Sequence, residues 1–474
     1  MNTLKRLFWG LRNMFLDNAD IINRDFNVEL IVSNEMNQAI KKWDSILKGN
    51  PNWKDTEDDV RSFNLAKFIT DKRSRLITLD LGISISGKNK RAEFMQEVAD
   101  DLLKQLPRKL SRGGGLGGMV IKWNGSTWDF IAPGNFGITD EDDNGEITGA
   151  VFASYATKGD KKYVRLEYHR FEGDEYVVTN RAYVYSSDRK GNVSLGTPIE
   201  LSSVNVWKDM MPEARIGNLE KPLFSYFRVP GANNIDTDSP LGISMFAGAI
   251  EELRAIDIAL SRKNTEIEDS KHITFAGQTV IKAASNKGIK LPRFVKGLGV
   301  GINDDAVSSI HEHTPSILTE QRVKDLNFNL SLAGVKCGFS EGVFVLNGQT
   351  GMITATQVEA DDRDTILTIK DDRDALQNAI EQALYGVDAL ADLYDLAPSG
   401  EYEISFSFGD ITYNYQEDKA SWITYVMQGW IPAYLYFVKF EKMTEEEAKA
   451  YVAEAQELGK EQELFDKMMN SGAV

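Results

Sequence analysis

The chain has 474 residues, of which 42% are hydrophobic and 26% charged, a composition typical of a folded protein with two or three domains. Its net charge of −17 disfavours a protein whose main task is to grip DNA, because such proteins are normally basic. The single cysteine, Cys337, excludes an internal disulfide and a zinc site of the CxxC type. No secretion signal and no membrane-spanning window is evident, so we expect a protein that is cytoplasmic or assembled from the cytoplasm.

Apolar residues at helical spacing dominate the first hundred residues, and the GNPNW run from Gly49 ends the first of these helices. The three apolar stripes are Met36, Ile40, Trp43 and Leu47; Leu65, Phe68, Ile69 and Leu76; and Phe94, Val98, Leu102 and Leu103. From Met119 the period changes to two, as in KYVRLEYHR, where every second residue is apolar. The turn signals DDNGE, EGDE and DRKGN separate such segments, which predicts an antiparallel meander to about residue 205.

After SPLG at Ser239, helical spacing returns through Phe246, Ile250, Leu253 and Leu260 and predicts a helix to about residue 269. The next stretch reverses the local charge, since no acidic residue lies between Asp269 and Asp304. Its basic residues are Lys271, Lys282, Lys287, Lys290, Arg293 and Lys296. A second helix, with Leu318, Val323, Leu326 and Leu330 as its apolar positions, is predicted after Pro315.

A glycine-rich stretch, GVFVLNGQTGM, then precedes what the pattern indicates is the longest helix. Thr356 with Glu359 forms a capping box, with Thr354 and Gln357 as an alternative register. About 39 residues of helix would span roughly 58 Å. The strand EYEISFSF follows at Glu401, and a capping box from Thr444 to Glu447 opens an acidic terminal helix.

Two glycine motifs imitate nucleotide-binding loops. GISISGKN, from Gly82, has the glycine and lysine spacing of a P-loop, but Asn89 replaces the hydroxyl that would hold magnesium and β-branched residues fill its interior. We interpret it as an ordinary strand and turn. RGGGLGG contains a literal GxGxxG with helix and strand in the reverse of the required order, which indicates a flexible helix-to-strand connection.

Clusters of possible metal ligands are equally unconvincing. The acidic groups of DDRDTILTIKDDRD, from Asp361, lie about 15 Å apart on a helix, too far for a two-metal site, and indicate a solvated or intersubunit face. His311 and His313 share a strand face without a third ligand, and Cys337 has no local histidine and reads as a packing residue. We therefore predict no enzymatic activity, no cofactor and no metal.

Two segments carry a resemblance to a known family. PLFSYFRVPGANNIDTDSPLGISMFAGAIEELRAIDIALS, from Pro222, is similar to the wing-to-stem passage of portal proteins from tailed bacteriophages, above all those of siphophages infecting Gram-positive hosts. The matching positions are Asn233, Asn234, Ser239, Pro240, Gly242, Ser244 and the segment around Asp257. GQTGMITATQVEADDRDTILTIKDDRDALQNAIEQAL, from Gly348, resembles the loop and long helix of the same family.

The resemblance implies an α+β portal-type fold with a helical and β-rich wing, a two-helix stem, a small clip, a long wing helix and a C-terminal helical crown. The implied boundaries are 1–240 for the wing, with its antiparallel part at about 119–205; 241–270 for the first stem helix; 271–313 for the clip; 314–337 for the second stem helix; 338–353 for the tunnel loop; 354–415 for the long wing helix and return strand; and 416–474 for the crown.

The family's function then becomes the expected one. The resemblance implies a homo-oligomeric ring, usually of twelve subunits, at the portal vertex of a virion, assembled in the host cytoplasm without a membrane. Double-stranded DNA would pass through it, without sequence specificity, during packaging, retention and ejection. Implied partners are the terminase large subunit, head completion or adaptor proteins, and the major capsid and scaffolding proteins.

The resemblance also implies two sets of site residues. The DNA-channel loop would consist of Glu341, Gly342, Val343, Phe344, Val345, Leu346, Asn347, Gly348, Gln349, Thr350 and Gly351. The clip docking surface would consist of Lys282, Lys287, Lys290, Arg293 and Lys296. In the loop, Phe344, Val345 and Leu346 would pack against a neighbouring subunit, while Asn347 and Gln349 would touch the phosphate backbone.

Three alternatives remain open at the level of sequence. The basic segment is also consistent with solvated surface lysines, and the glycine-rich stretch with a buried helix–loop–helix connection. The whole chain is also consistent with a structural neck or capsid protein that has no DNA channel.

Overall fold

The computed structural model describes residues 14–31, 33–56, 60–187, 193–269, 319–345, 363–410, 422–428, 430–441 and 443–455, with short stretches between 273 and 313. The chain divides into two units, residues 1–409 and 410–474. Both helices and sheets are present, which confirms the α+β class.

The bounds of the elements are as follows. The helices are α1 Met14–Asp17, α2 Ala19–Phe26, α3 Asn34–Leu47, α4 Trp53–Thr56, α5 Leu65–Ile77, α6 Lys90–Gly115, α7 Ile250–Asp269, α8 Thr319–Lys336, α9 Arg363–Leu393 and α10 Ala433–Phe440. The strands are β1 Gly82–Ser86, β2 Gly118–Trp123, β3 Trp128–Ile131, β4 Phe136–Glu141, β5 Ile147–Lys158, β6 Lys161–Glu172, β7 Glu175–Ser187, β8 Val193–Ile199, β9 Glu213–Gly217, β10 Ser225–Arg228, β11 Ile273–Gly277, β12 Val295–Leu298, β13 Ile310–His313 and β14 Glu403–Ser407.

Capping side chains start the N-terminal helices where the apolar stripes predict them. Ser33 Oγ accepts a hydrogen bond from the Met36 amide at 3.1 Å, and Asn89 Oδ1 accepts one from the Ala92 amide at 2.9 Å. Most stripe residues are buried or half-buried. Phe68 is the exception, because 58% of it is exposed on α5.

The predicted antiparallel meander is confirmed from β4 to β8, whereas β2 and β3, at the start of the predicted range, pair with each other and with β10 in a separate sheet. Strands β4 to β8 pair in sequence order, and β9 returns to pair with the first half of β7. Helices α1 and α2 cover one face of this sheet, where Ile22 and Phe26 join a buried cluster with Val164 and Tyr183. The local order of the pairing explains why turn signals and a period of two were enough to predict it.

The RGGGLGG stretch connects α6 to β2, as predicted, but it is packed tightly, so only the expectation of flexibility was wrong. Its first three glycines lie in the last turn of α6. Gly117 and Gly118 have positive φ, and a Cβ on Gly117 would lie 2.2 Å from the carbonyl oxygen of Gly242. These glycines therefore allow close approach of backbone segments at the start of the sheet β10-β2-β3.

The GISISGKN segment is a strand and a turn, as predicted. Strand β1 pairs antiparallel with β14, with Gly82 opposite Ser407. A Cβ on Gly87 would lie 3.0 Å from the Glu401 carbonyl oxygen, so backbone already occupies the space before α6 in which a phosphate would have to sit.

Helix α9 ends within a residue of the predicted end, and its predicted start at residues 354–356 lies outside the described residues. The reading of its acidic repeat, with Thr365, as a solvated face was wrong for Thr365, Asp372 and Arg373, which are buried. Asp372 receives two hydrogen bonds from Arg73, from Nε at 2.5 Å and from Nη2 at 2.8 Å. The remaining Arg73 nitrogen, Nη1, donates to the carbonyl of Cys337, at the end of α8, at 3.2 Å. One guanidinium thus joins α5, α8 and α9.

The second unit, residues 410–474, contains α10 and helical residues 422–427 and 445–455. Its predicted capping box is present, since the Glu447 amide donates to Thr444 Oγ1 at 3.3 Å and the Thr444 amide donates to Glu447 Oε2 at 3.0 Å. Among the described residues of the chain, no helix is long and apolar enough to span a bilayer.

We predict that Arg73→Met destabilises the protein by about 3–5 kcal/mol, because it leaves the buried Asp372 carboxylate without its cationic partner. Chemical denaturation of the purified protein measures this loss. The double variant Arg73→Met/Asp372→Leu should recover a large part of it, since no unpaired charge is then buried. Asp371→Asn, at an exposed neighbour on the same helix, is the control and should change stability by less than about 0.5 kcal/mol. A loss for Arg73→Met no larger than that of the control would contradict the role of the pair.

Candidate functional site: the helix pair and the loop that follows it

Helices α7 and α8 pack against one another through buried apolar side chains. Leu253 and Ile256 of α7 and Leu326, Leu330 and Ala333 of α8 belong to one core cluster. At one end, Lys336 Nζ donates to Glu252 Oε1 at 2.5 Å, so the end of α8 lies beside the start of α7. The two helices therefore run in opposite directions.

A small sheet lies between the two helices in the chain, in the order β12-β11-β13. Strand β11 is parallel to β12 and antiparallel to β13. These strands fall within the predicted clip, residues 271–313. The chain thus leaves the helix pair, forms a separate β structure and returns.

The predicted docking residues are only partly described. Lys282 and Lys287 are exposed, and Lys296 lies on β12 opposite Phe275. Lys290 and Arg293 lie outside the described residues. Of the predicted docking set, the structure therefore describes only Lys282 and Lys287 as exposed.

His311 and His313 lie two positions apart on β13, which confirms that both belong to one strand. Within the part of the chain that the structure describes, no group of three or more His, Cys, Asp or Glu residues is arranged to hold a metal ion.

Asp257 anchors the segment that precedes α5 to the helix pair. Its buried carboxylate accepts hydrogen bonds from the Trp53 indole at 2.9 Å and from the Phe63 amide at 2.7 Å. One turn later, Ser261 Oγ accepts from the Arg61 amide at 2.9 Å. Burial raises the pKa of Asp257 above its usual value. From the sequence, Asp257 was identified only as part of the segment that resembles portal proteins. Its anchoring role could not be predicted, because its partners lie about two hundred residues earlier.

The loop after α8 begins and ends at one place. The Ser340 amide donates to Thr365 Oγ1 at 2.8 Å, and the two hydroxyl oxygens lie 3.0 Å apart. The Thr365 amide lies 3.4 Å from Ser340 Oγ, and both residues are buried. The two flanks of the segment 341–364 are therefore joined. Sequence analysis missed this pair, since neither residue carries a signal beyond being polar.

The first part of the predicted DNA-channel loop belongs to the protein core. Phe344 is only 7% exposed, and its ring centroid lies 5.0 Å from that of Phe339 and 5.8 Å from that of Phe68. The expectation that Phe344 packs against a neighbouring subunit was wrong, because its partners lie in its own chain. Gly342 has φ +88°, and no atom of the described residues lies within 4 Å of the position that a Cβ would occupy. Leu346, Asn347, Gly348, Gln349, Thr350 and Gly351 lie outside the described residues.

Cys337 lies at the end of α8 and is buried, as its interpretation as a packing residue predicts. Burial raises the pKa of its thiol to about 12, so the thiol stays protonated and unreactive at neutral pH.

Large apolar side chains remain exposed on the helices around this loop. Phe328 on α8 is 67% exposed, Val335 on the same helix 48%, and Leu367 on α9 50%. Together with Phe68 on α5 they lie on the three helices that the Arg73 guanidinium joins. Several exposed apolar residues on neighbouring elements are typical of a surface that another chain covers.

No family model and no curated protein matches the sequence.

We predict that Thr365→Val destabilises the protein by about 1–3 kcal/mol, because it leaves the buried Ser340 groups without their partner. Hydrogen exchange at the Ser340 amide should accelerate. Ser340→Ala should have a similar effect, and the double variant should cost no more than about the larger single loss, since both changes remove the same interaction. Fully additive losses would show that the two residues act independently and that the loop flanks are not joined in this way.

Proposed function

We propose that this protein is the subunit of a ring-shaped DNA conduit of the tailed-bacteriophage portal type. In this proposal it sits at the portal vertex of the capsid and serves genome packaging, retention and ejection. Its clip, around β11 to β13, would dock the terminase motor and later the head–tail connector proteins. Its sequence resemblance to portal proteins and the order of its elements are the grounds for the proposal.

The observation that supports it most is the arrangement around the helix pair. Two oppositely directed helices enclose a small β structure in the chain, and an excursion with joined flanks follows directly. A conduit needs such an excursion to reach toward passing DNA while the rest of the subunit keeps its place. The predicted tunnel loop, residues 338–353, is longer than the roughly 2–8 residues that an ordinary helix–helix connection needs, and three glycines lie between Glu341 and Gly351.

The charge of the chain suits this role. Each subunit carries −17, and a ring of such subunits would repel a duplex from the channel wall. The predicted loop from Glu341 to Gly351 contains no lysine or arginine. Because each cationic contact to phosphate adds salt-sensitive affinity, a loop without such contacts would guide DNA rather than hold it.

The exposed apolar residues of α5, α8 and α9 give the proposed ring its contact surface. A closed ring requires head-to-tail interfaces, in which one face of a subunit meets a different face of the next. Phe328, Val335 and Leu367 lie on one such face in this proposal. Self-repulsion between acidic subunits would have to be offset by burial of these side chains.

We predict that the purified protein forms rings of about twelve subunits and that Phe328→Glu prevents their assembly. A charge at the centre of an apolar contact would be buried without a partner. Native mass spectrometry and negative-stain imaging of both proteins give the oligomeric state and reveal a central hole. Gln321→Glu, an exposed and nearly isosteric change on the same helix, is the control and should still form rings. Wild-type protein that stays monomeric over a broad concentration range would count against the conduit, and closed assemblies without a hole would favour a structural neck or capsid protein.

We predict that deletion of Asn347 to Gln349 leaves ring assembly intact but reduces DNA packaging or retention. The deletion shortens the excursion and removes the neutral side chains proposed to meet the phosphate backbone, while the Ser340–Thr365 pair that joins its flanks is retained. Packaged DNA per assembled particle is the measurement. The control replaces the same three residues with Gly-Ser-Gly, which keeps the length. Full packaging and stable heads with the deletion would show that this stretch serves only to connect two helices.

A further inference from the structure

A cavity of about 540 Å³ lies against one face of the meander, and no residue of the helix pair α7 and α8 lines it. Strands β6 and β7 form one wall, and the end of β2 forms another. The segment 209–216 and the end of α9 complete the lining. Neither the sequence motifs nor the proposed function assign a role to it.

The floor of this cavity carries charged side chains that are almost fully buried. Glu167 forms ion pairs with Lys122 and with Arg165, whose Nη2 lies 2.6 Å from Glu167 Oε2. The side chains of Lys122, Arg165 and Glu167 are only 8%, 11% and 12% exposed. Two buried cations therefore share one buried carboxylate.

His169 completes the floor without adding charge. Burial and the nearby Lys122 ammonium lower its pKa to about 4, so the imidazole is neutral at physiological pH. Its Nε2 lies 2.6 Å from Glu167 Oε1 and its Nδ1 lies 2.9 Å from Tyr176 Oη. A neutral ring donates to the carboxylate through Nε2 and accepts from the tyrosine through Nδ1. The floor thus has one positive charge in excess.

The mouth of the cavity is apolar. Its side chains are partly open to solvent: Met210 is 39% exposed, Met211 68%, Leu393 47% and Tyr394 57%. Asn180 holds the methionine segment in place, since its side chain donates to the Met211 carbonyl at 3.0 Å. An occupant would meet an apolar rim before it reached the charged floor.

The carboxylates near the mouth do not neutralise the floor. Glu213 is bound by Arg215 at 2.9 Å, and the same guanidinium also pairs with Glu172 and Glu175. The Asp209 side chain is 88% exposed and lies 3.8 Å from the Lys208 ammonium. Three carboxylates share the one Arg215 guanidinium, so this part of the mouth is net acidic. These carboxylates are 39–52% exposed and, like Asp209, are screened by water, unlike the buried floor.

Arg165 is poorly satisfied for a buried cation. Its Nε is buried and has no hydrogen-bond partner. Its Nη1 donates to Asn180 Oδ1 at 2.8 Å and to the Met210 sulfur at 2.9 Å, and a thioether is a weak acceptor. A carboxylate oxygen in place of that sulfur would give the guanidinium a strong, charge-assisted partner.

We propose that this cavity binds a small organic carboxylate with an apolar body. The carboxylate replaces the Met210 thioether at Arg165 Nη1, and the apolar body lies against Met211, Leu393 and Tyr394. The excess positive charge of the floor and the apolar rim together select this class over neutral molecules and over inorganic anions. The proposal is independent of the portal function.

The probe is 4-fluorophenylacetate, titrated into the full-length protein and followed by fluorine NMR and calorimetry. We expect saturable binding with one site per chain. The neutral 4-fluorophenylacetamide and inorganic phosphate should each bind on the order of tenfold more weakly, because one lacks the charge and the other the apolar body.

Two variants and a control locate the site. Arg165→Gln should weaken binding of the probe on the order of tenfold or more, because it removes the charged donor. Met211→Glu, at an exposed position of the mouth, should weaken it severalfold without a folding defect, which keeps the test decisive if Arg165→Gln is unstable. Lys158→Gln, an exposed cation on β5 outside the cavity lining, should leave it unchanged. No saturable binding, equal binding of acid and amide, or binding that Met211→Glu leaves unchanged would each overturn the proposal.

Discussion

The buried ion pair between Arg73 and Asp372 is the constraint on which the larger unit depends most. Its two partners lie 299 positions apart, and the same guanidinium reaches the end of α8 through the Cys337 carbonyl. A charge can be buried only where its partner is fixed, so this pair specifies the relative position of three helices and not merely their attraction. Arg373, the next residue, extends the arrangement by donating to the carbonyls of Leu76, Ile77 and Gly409. The geometry of the loop flanks follows, because Ser340 lies three residues beyond Cys337 and Thr365 two turns before Asp372.

Local features of the fold could be predicted from the sequence because their causes are local. The meander depends on a period of two and on turns between neighbouring strands, and the capping box at Thr444 depends on residues three positions apart. Long-range features could not be predicted in the same way. No pattern identifies β14 as the partner of β1, and an aspartate in an acidic run gives no sign that an arginine on a distant helix makes its burial possible. Phe68 and Phe344 also show that long-range contacts cannot be read from a local pattern. Phe68 belongs to an apolar stripe yet is exposed, and Phe344 belongs to the predicted loop yet is buried beside it.

The order of the elements at the candidate site could be predicted from the sequence, but the hydrogen bonds that hold them in place could not. Spacing of apolar residues indicated two helices around a basic segment and a glycine-rich stretch after them. The hydrogen bonds that fix this outline come from ordinary polar residues, Asp257, Ser340 and Thr365, whose partners are known only once the chain is folded. The buried charges of the cavity floor were also invisible, because Lys122, Arg165 and Glu167 look like solvent-facing residues of alternating strands until the segment 209–216 and the end of α9 cover them.

The contact between Ser340 and Thr365 fixes α8 and α9 relative to one another, so the positions of these helices do not depend on the length of the segment between them. Ser340 and Thr365 stay in contact however many residues lie between them, and for a flexible segment each doubling of the length costs only about 0.6 kcal/mol. Helices α8 and α9 would keep their positions through such a change. The frame around the segment therefore places little constraint on how many residues lie between the two flanks.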